Sequence, residues 1–220
     1  MTPFLTVPFS FSENSFNWLQ NFCEPIVADY QKNAPLNSAL VSLSGSQVTA
    51  IMESQAWQEI VTHSNKYNLT DPWPQLFIYK QLDHPCPSSK GNPHIDTYGP
   101  GGIAYTAAIR FNVLLRGEDT TEMVWWDRDR LSKCMITQVF QRPDLTVTGR
   151  VQVVGSTVEE RWQALGEPAH RATHLAAVQE HASFVRTDVA HALNWTGNQP
   201  RVVFSIRYKE AWQAMEEFIC

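Results

Sequence analysis

Arg186-Thr-Asp-Val-Ala-His191-Ala-Leu-Asn194-Trp-Thr-Gly-Asn-Gln-Pro200-Arg201-Val-Val-Phe-Ser-Ile-Arg207-Tyr208 is the stretch that decides how this chain folds. Two apolar segments flank Trp195-Thr-Gly-Asn-Gln-Pro200, whose Gly, Asn and Pro mark a turn. Such a turn returns the chain antiparallel, which predicts that 201–208 lies beside the strand carrying His191. Strand residues alternate between faces, so Arg201, Val203, Ser205 and Arg207 share one. A guanidinium on a covered face is costly unless an anion pairs with it. This hairpin therefore predicts a sheet whose inner face carries charge to meet a ligand.

Working outward, 76–81, 105–116, 122–126 and 183–186 read as strands, and 135–140 with 146–154 as a further hairpin. An amphipathic helix is expected over 16–30, disturbed at Pro25. A second is expected over 48–64, with Ile51, Met52, Ala56, Trp57, Ile60 and Val61 as its apolar stripe. Breaker-rich 65–74 ends this region, and 158–165, 169–181 and 210–219 read as helical. No βαβ rhythm and no dinucleotide fingerprint occurs. Short, closely spaced strands flanked by helices predict a mainly β, α+β chain: a β-barrel or double-sheet sandwich with helical buttresses. The expected organisation is a single domain over 1–220. It comprises a helical buttress (1–74), a β core (75–208) with an insertion at 127–182, and a C-terminal helix (209–220).

The 220 residues suffice for a buried core. A net charge of −5, with no long run of Lys or Arg, argues against a nucleic-acid partner. The four cysteines (Cys23, Cys86, Cys134, Cys220) form no CxxC pair, as expected of reduced thiols. The first residues carry no basic leader, and no stretch reaches the roughly 20 apolar residues of a membrane span. No membrane partner and a cytoplasmic location are the resulting expectations.

His94-Ile95-Asp96 places a histidine and a carboxylate on one face of a strand, stiffened by Pro93, with Gly99, Gly101 and Gly102 as a mobile loop beyond. The tripeptide is common, and alone it reads as part of a polar loop. His191 alone reads as a buried, satisfied histidine. Together, two histidines and one carboxylate suit a ferrous ion held on one face, with open positions opposite for substrate and oxygen. Arg201, ten residues after His191, supplies a fixed cation suited to an acidic co-substrate. In 105–116, Ile109, Phe111 and Val113 share one face. Arg110 and Asn112 interrupt the other, either as a solvent stripe or as interior groups near the metal.

His-x-Asp, a distal His and a following Arg on the last strand resemble the iron(II)/2-oxoglutarate-dependent dioxygenases. Within them, the chain is most similar to the aspartyl/asparaginyl β-hydroxylase and proline cis-hydroxylase group. That group pairs an Arg-x-His strand with a distal His segment and an Arg ten residues later. Here Ile109-Arg110-Phe-Asn112 stands in the first place, with Asn112 where the group often has His. His191-Ala-Leu-Asn194 through Pro200-Arg201 stands in the second. The resemblance covers about a third of the chain. It implies a double-stranded β-helix (jelly-roll, cupin-like), Fe(II) held by His94, Asp96 and His191, and 2-oxoglutarate anchored by Arg201. Tyr79, Arg110, Asn112 and Asn194 become secondary candidates for co-substrate or supporting contacts. Val203 replaces a Ser found in some relatives, and Arg207 is a competing anchor.

The implied activity is hydroxylation of an unactivated C–H bond of a small molecule such as an amino acid. Molecular oxygen is consumed, and succinate and CO2 are the co-products. Two alternatives are a protein or peptide hydroxylase of the same superfamily and a non-catalytic cupin-like metal-binding domain. His170-Arg-Ala-Thr-His174 has helical spacing for two metal-binding imidazoles but no third ligand, and reads as surface histidines. Gly99-Pro-Gly-Gly102 lacks the Lys of a phosphate loop. Arg128-Asp-Arg130 reads as a solvated turn, and Trp125 and Trp126 as core or pocket wall.

Overall fold

A computed structural model describes residues 2–33, 38–41, 43–79, 86–100, 105–106, 109–117, 121–127, 135–141, 146–153, 155–173, 175, 181–197, 201–208 and 210–219. Among the described residues, fourteen strands form two antiparallel sheets. The six-stranded sheet runs β1 (Phe4–Pro8), β12 (His181–Arg186), β7 (Ile109–Arg116), β14 (Arg201–Tyr208), β3 (Trp73–Tyr79), β2 (Ser38–Val41). The eight-stranded sheet runs β11 (His170–Thr173), β8 (Thr121–Trp125), β13 (His191–Gly197), β5 (His94–Pro100), β10 (Thr146–Val153), β9 (Met135–Gln141). In it β4 (Cys86–Lys90) also pairs with β13, and β6 (Tyr105–Thr106) with β5.

Helices coat the outer faces. α1 (Glu13–Asn33) keeps Pro25 inside its length and buries Leu19, Cys23, Val27 and Tyr30 at helical spacing. With α3 (Gln55–Asn65) it covers the outward residues Phe111, Phe184, Phe204, Ile206 and Tyr208 of the six-stranded sheet. α4 (Val158–Leu165) packs Trp162 and Leu165 against Ile95, Val124, Trp126 and Ala192 on the other sheet. Fully burying a side chain of this size contributes about 1.5–3 kcal/mol. These two layers leave the facing inner surfaces of the sheets to define the interior.

Several expectations need correction. The single helix expected over 48–64 is two, α2 (Gly45–Met52) and α3, because Ser54 caps the second through Trp57 N at 3.1 Å. The buttress region also contributes β1 and β2, while 127–182 supplies β9, β10 and β11 to the second sheet. Residues 170–173 form a strand, not a helix: they pair with Glu122–Trp125, and their exposure alternates with period two. His174 lies outside the described residues, as do Gly101, Gly102 and 128–130. Gly99 belongs to β5 instead of a loop. The final helix is a 3-10 helix, Trp212–Phe218.

The largest correction concerns the deciding hairpin. β13 and β14 are not neighbours but belong to different sheets. Both flanks of β14 are occupied by β7 and β3, and β13 lies between β8 and β5, so neither has an edge left for the other. The inner faces still meet, since the Tyr79 and Trp195 rings lie 5.4 Å apart. Phe4 stacks on Trp125 at 5.7 Å, with Val185 and Met123 in the same inter-sheet cluster. No helix among the described residues is long and apolar enough to cross a membrane.

His63 on α3 gives the fold a measurable acid sensitivity. It is 6% exposed among Phe9, Tyr67, Phe111 and Phe184. Burial, with a smaller contribution from Lys66, pushes its pKa from 6.5 down to about 4. The unfolded chain therefore takes up this proton first, and the fold loses stability as pH falls from about 6.5 to about 4. Urea midpoints at pH 7 and pH 5 should separate less in His63→Leu than in the unsubstituted protein.

Candidate metal centre

The eight-stranded sheet brings His94, Asp96 and His191 together on adjacent strands although 95 residues separate the last two. His191, the first residue of β13, pairs in register with His94 of β5 on one side and Trp125 of β8 on the other. Residues directly opposed across antiparallel strands sit close enough for their side chains to share a ligand. Asp96, two residues beyond His94, projects to the same face, and its backbone N–H donates to Thr187 O at 3.0 Å, beside the turn into β13. One donor atom from each of the three lies within 4.8 Å of the others.

The histidines are oriented for metal. His94 Nδ1 lies 2.7 Å from Asn92 O, and His191 Nδ1 lies 3.0 Å from Val189 O. In its neutral form each ring donates Nδ1–H to that carbonyl, which leaves the Nε2 lone pair facing the cluster. His94 Nε2 is 3.5 Å from Asp96 Oδ1, and His191 Nε2 is 3.9 Å from Asp96 Oδ2. Burial, then repulsion from His94, lowers the His191 pKa to about 3, so it stays uncharged at neutral pH. Burial pushes the Asp96 carboxyl up. The Arg110 guanidinium, helped by His94 and His191, outweighs that and holds it well below the usual range. Two imidazoles and one carboxylate fit a divalent ion of intermediate softness.

The remaining candidates separate by strand parity. Arg110 points inward, 4% exposed, and its Nε donates to Asp96 Oδ2 at 2.6 Å. Asn112 lies on the same inner face of β7, between Ser183 and Ser205 in the ladder. Arg201 is buried, pairs in register with Tyr79, and holds its guanidinium 5.3 Å from the Tyr79 ring. Arg207 is also buried and inward, opposite Arg110 in the ladder. It lies at the other end of β14, about 20 Å along the strand from Arg201. Asn194 is turned away: three residues after His191, it shares the outer face with Ala192 and donates to Glu122 Oε2 at 2.8 Å. Of the four secondary candidates for co-substrate or supporting contacts, Asn194 is thus the one whose side chain leaves the inner face.

One group was absent from the expected set: Gln75 of β3 accepts from Arg110 Nη1 at 2.7 Å. Trp125, read from the sequence as core or pocket wall, is buried and pairs in register with His191. Gln75 shares strand parity with Tyr79, a signal that could have placed it on the inner face.

No family model and no curated protein matches this chain. Among solved structures it is similar to a Pseudomonas putida prolyl-4-hydroxylase, with TM-score 0.46, 8% identity, and coverage of 94% of this chain and 92% of that one. It is also similar to SnoK, a non-heme alpha ketoglutarate dependent carbocyclase from nogalamycin biosynthesis (TM-score 0.49, 10% identity, 94% and 79% covered). A third is the epimerase SnoN, in complex with Fe3+, alpha ketoglutarate and nogalamycin RO (TM-score 0.48, 14% identity, 94% and 79% covered). Identities this low establish no residue correspondences.

Proposed function

We propose that this protein is an Fe(II)- and 2-oxoglutarate-dependent dioxygenase that hydroxylates an unactivated C–H bond of a small molecule such as an amino acid. The convergence of His94, Asp96 and His191 on one face, with Arg201 inside the same sandwich, carries this reading. Fe(II) bound there would supply the oxidation of a C–H bond by O2, coupled to decarboxylation of 2-oxoglutarate to succinate and CO2. The protein's part is to bind, orient and keep water out.

His94 and His191 present Nε2 lone pairs, and Asp96 offers the negative charge. Trp195, beside Tyr79 and hence near Arg201, lies about 13 Å along β13 from His191. A dicarboxylate spanning from the ion toward the long Arg201 side chain suits that interval. Arg201 would hold the far carboxylate by paired N–H donors, with Tyr79 flanking its guanidinium. Leu114, Val203 and Phe77 form an apolar patch on the inner face between these ends. Asn112, partly exposed on that face, is placed to contact co-substrate or substrate.

The test is CO2 release from 2-oxoglutarate with added Fe(II), across a panel of free amino acids and other small molecules. Iron-dependent release stimulated by one member, with a product heavier by one oxygen, is expected. Stimulation by peptides alone would move the substrate to the protein class. Release no greater than with a chelator, across both panels, would contradict the reading.

A further inference from the structure

We propose that Arg110 and Gln75 act as a latch that restricts Asp96 to ligation through a single oxygen, Oδ1. The inference rests on the metal reading of His94, Asp96 and His191. Arg110 Nε donates to Asp96 Oδ2 at 2.6 Å, a charge-assisted bond inside the sandwich. Gln75 Oε1 accepts from Arg110 Nη1 at 2.7 Å, and Ser205 Oγ lies 3.5 Å from the same nitrogen. The Phe77 ring lies 5.3 Å from the guanidinium carbon.

The geometry of this set matters because its members come from both sheets. Gln75, Arg110 and Ser205 sit on β3, β7 and β14, adjacent strands of the six-stranded sheet, while Asp96 belongs to the other. Their exposures, 3%, 4%, 0% and 5%, place the network away from bulk solvent. Three neighbours therefore fix the guanidinium, and the guanidinium fixes the rotation of the carboxylate. With Oδ2 engaged, Oδ1, which faces His94 Nε2, is the oxygen left for an ion. A carboxylate free to rotate could chelate through both oxygens and consume a coordination position that substrate or oxygen requires. Arg110 is on this account a positioning residue and not an anchor for a dicarboxylate.

The test compares the unsubstituted protein with Arg110→Met, Arg110→Lys, Gln75→Leu and His191→Ala, using Mn(II) alone as probe. Affinity is read by equilibrium dialysis, and bound water by Mn(II) electron paramagnetic resonance in water enriched in oxygen-17. Arg110→Met should weaken Mn(II) binding by about 10- to 100-fold. It should also hold one exchangeable water fewer, because a chelating Asp96 displaces it. Arg110→Lys should recover part of the affinity, and Gln75→Leu should move both readouts the same way by less. A folded Arg110→Met that matches the unsubstituted protein in affinity and bound water overturns the latch. If Arg110→Met does not fold, Gln75→Leu decides by the same criteria. Equal Mn(II) binding by His191→Ala, or none by the unsubstituted protein, overturns the metal reading and the latch with it.

Discussion

Asp96→Ala and His191→Ala should each reduce Fe(II)-dependent turnover of 2-oxoglutarate to background. The two variants fail by different physical routes. His191 is uncharged and its Nδ1 bonds a backbone carbonyl, so as a proposed ligand its loss should remove metal affinity with modest effect on the fold. Asp96 is also the carboxylate that neutralises buried Arg110, and removing it strands a guanidinium in the interior. Breaking a buried pair by removing one partner costs about 3–5 kcal/mol, so Asp96→Ala should also melt at lower temperature. Thermal unfolding with and without Mn(II) separates the routes. The unsubstituted protein should gain stability from the ion, growing with the logarithm of its concentration above Kd, and neither variant should. Stabilisation of Asp96→Ala equal to that of the unsubstituted protein would remove Asp96 from the ligand set.

Arg201→Met should weaken 2-oxoglutarate binding far more than Arg207→Met. A buried, charge-assisted contact is worth about 2–3 kcal/mol, which corresponds to an affinity loss on the order of 100-fold. Arg201→Lys should fall between, because an ammonium retains the charge and loses the fork geometry. Calorimetric titration of the Mn(II)-loaded protein with 2-oxoglutarate, without oxygen, measures this directly. The two arginines share an inner face but lie at opposite ends of β14, so one dicarboxylate is not gripped by both. A large loss in Arg207→Met with little in Arg201→Met would exchange their roles.

Strand parity accounts for most of what was legible in the sequence. It puts His94 with Asp96, and Arg201 with Ser205 and Arg207, and the side-chain contacts follow those pairs. It left Arg110 open, since Ile109, Phe111 and Val113 require only that one face be covered. The second face turned out to be covered as well, by the opposite sheet. Parity also argues against Asn194, whose separation from His191 is odd. Pairing partners were not legible. Gly, Asn and Pro after Trp195 mark a change of direction equally well when the chain crosses between sheets as when it folds back within one. Local pattern alone also misread 169–181, where the edge of β8 recruits His170–Thr173 into a strand. The placement of β1 and β2 depends on sheet edges supplied by distant residues, β12 and β3.

His94, Asp96 and His191 are proposed to hold a metal ion whose co-substrate is anchored by Arg201. An oxygen-free crystal structure with Mn(II) and 2-oxoglutarate examines both proposals at once. Anomalous density is expected for Mn(II) bonded to His94 Nε2, Asp96 Oδ1 and His191 Nε2. The 2-oxo acid end should lie on the ion and the far carboxylate at Arg201. Mn(II) bound elsewhere, or 2-oxoglutarate held at Arg207 or Arg110 with Arg201 untouched, would contradict them.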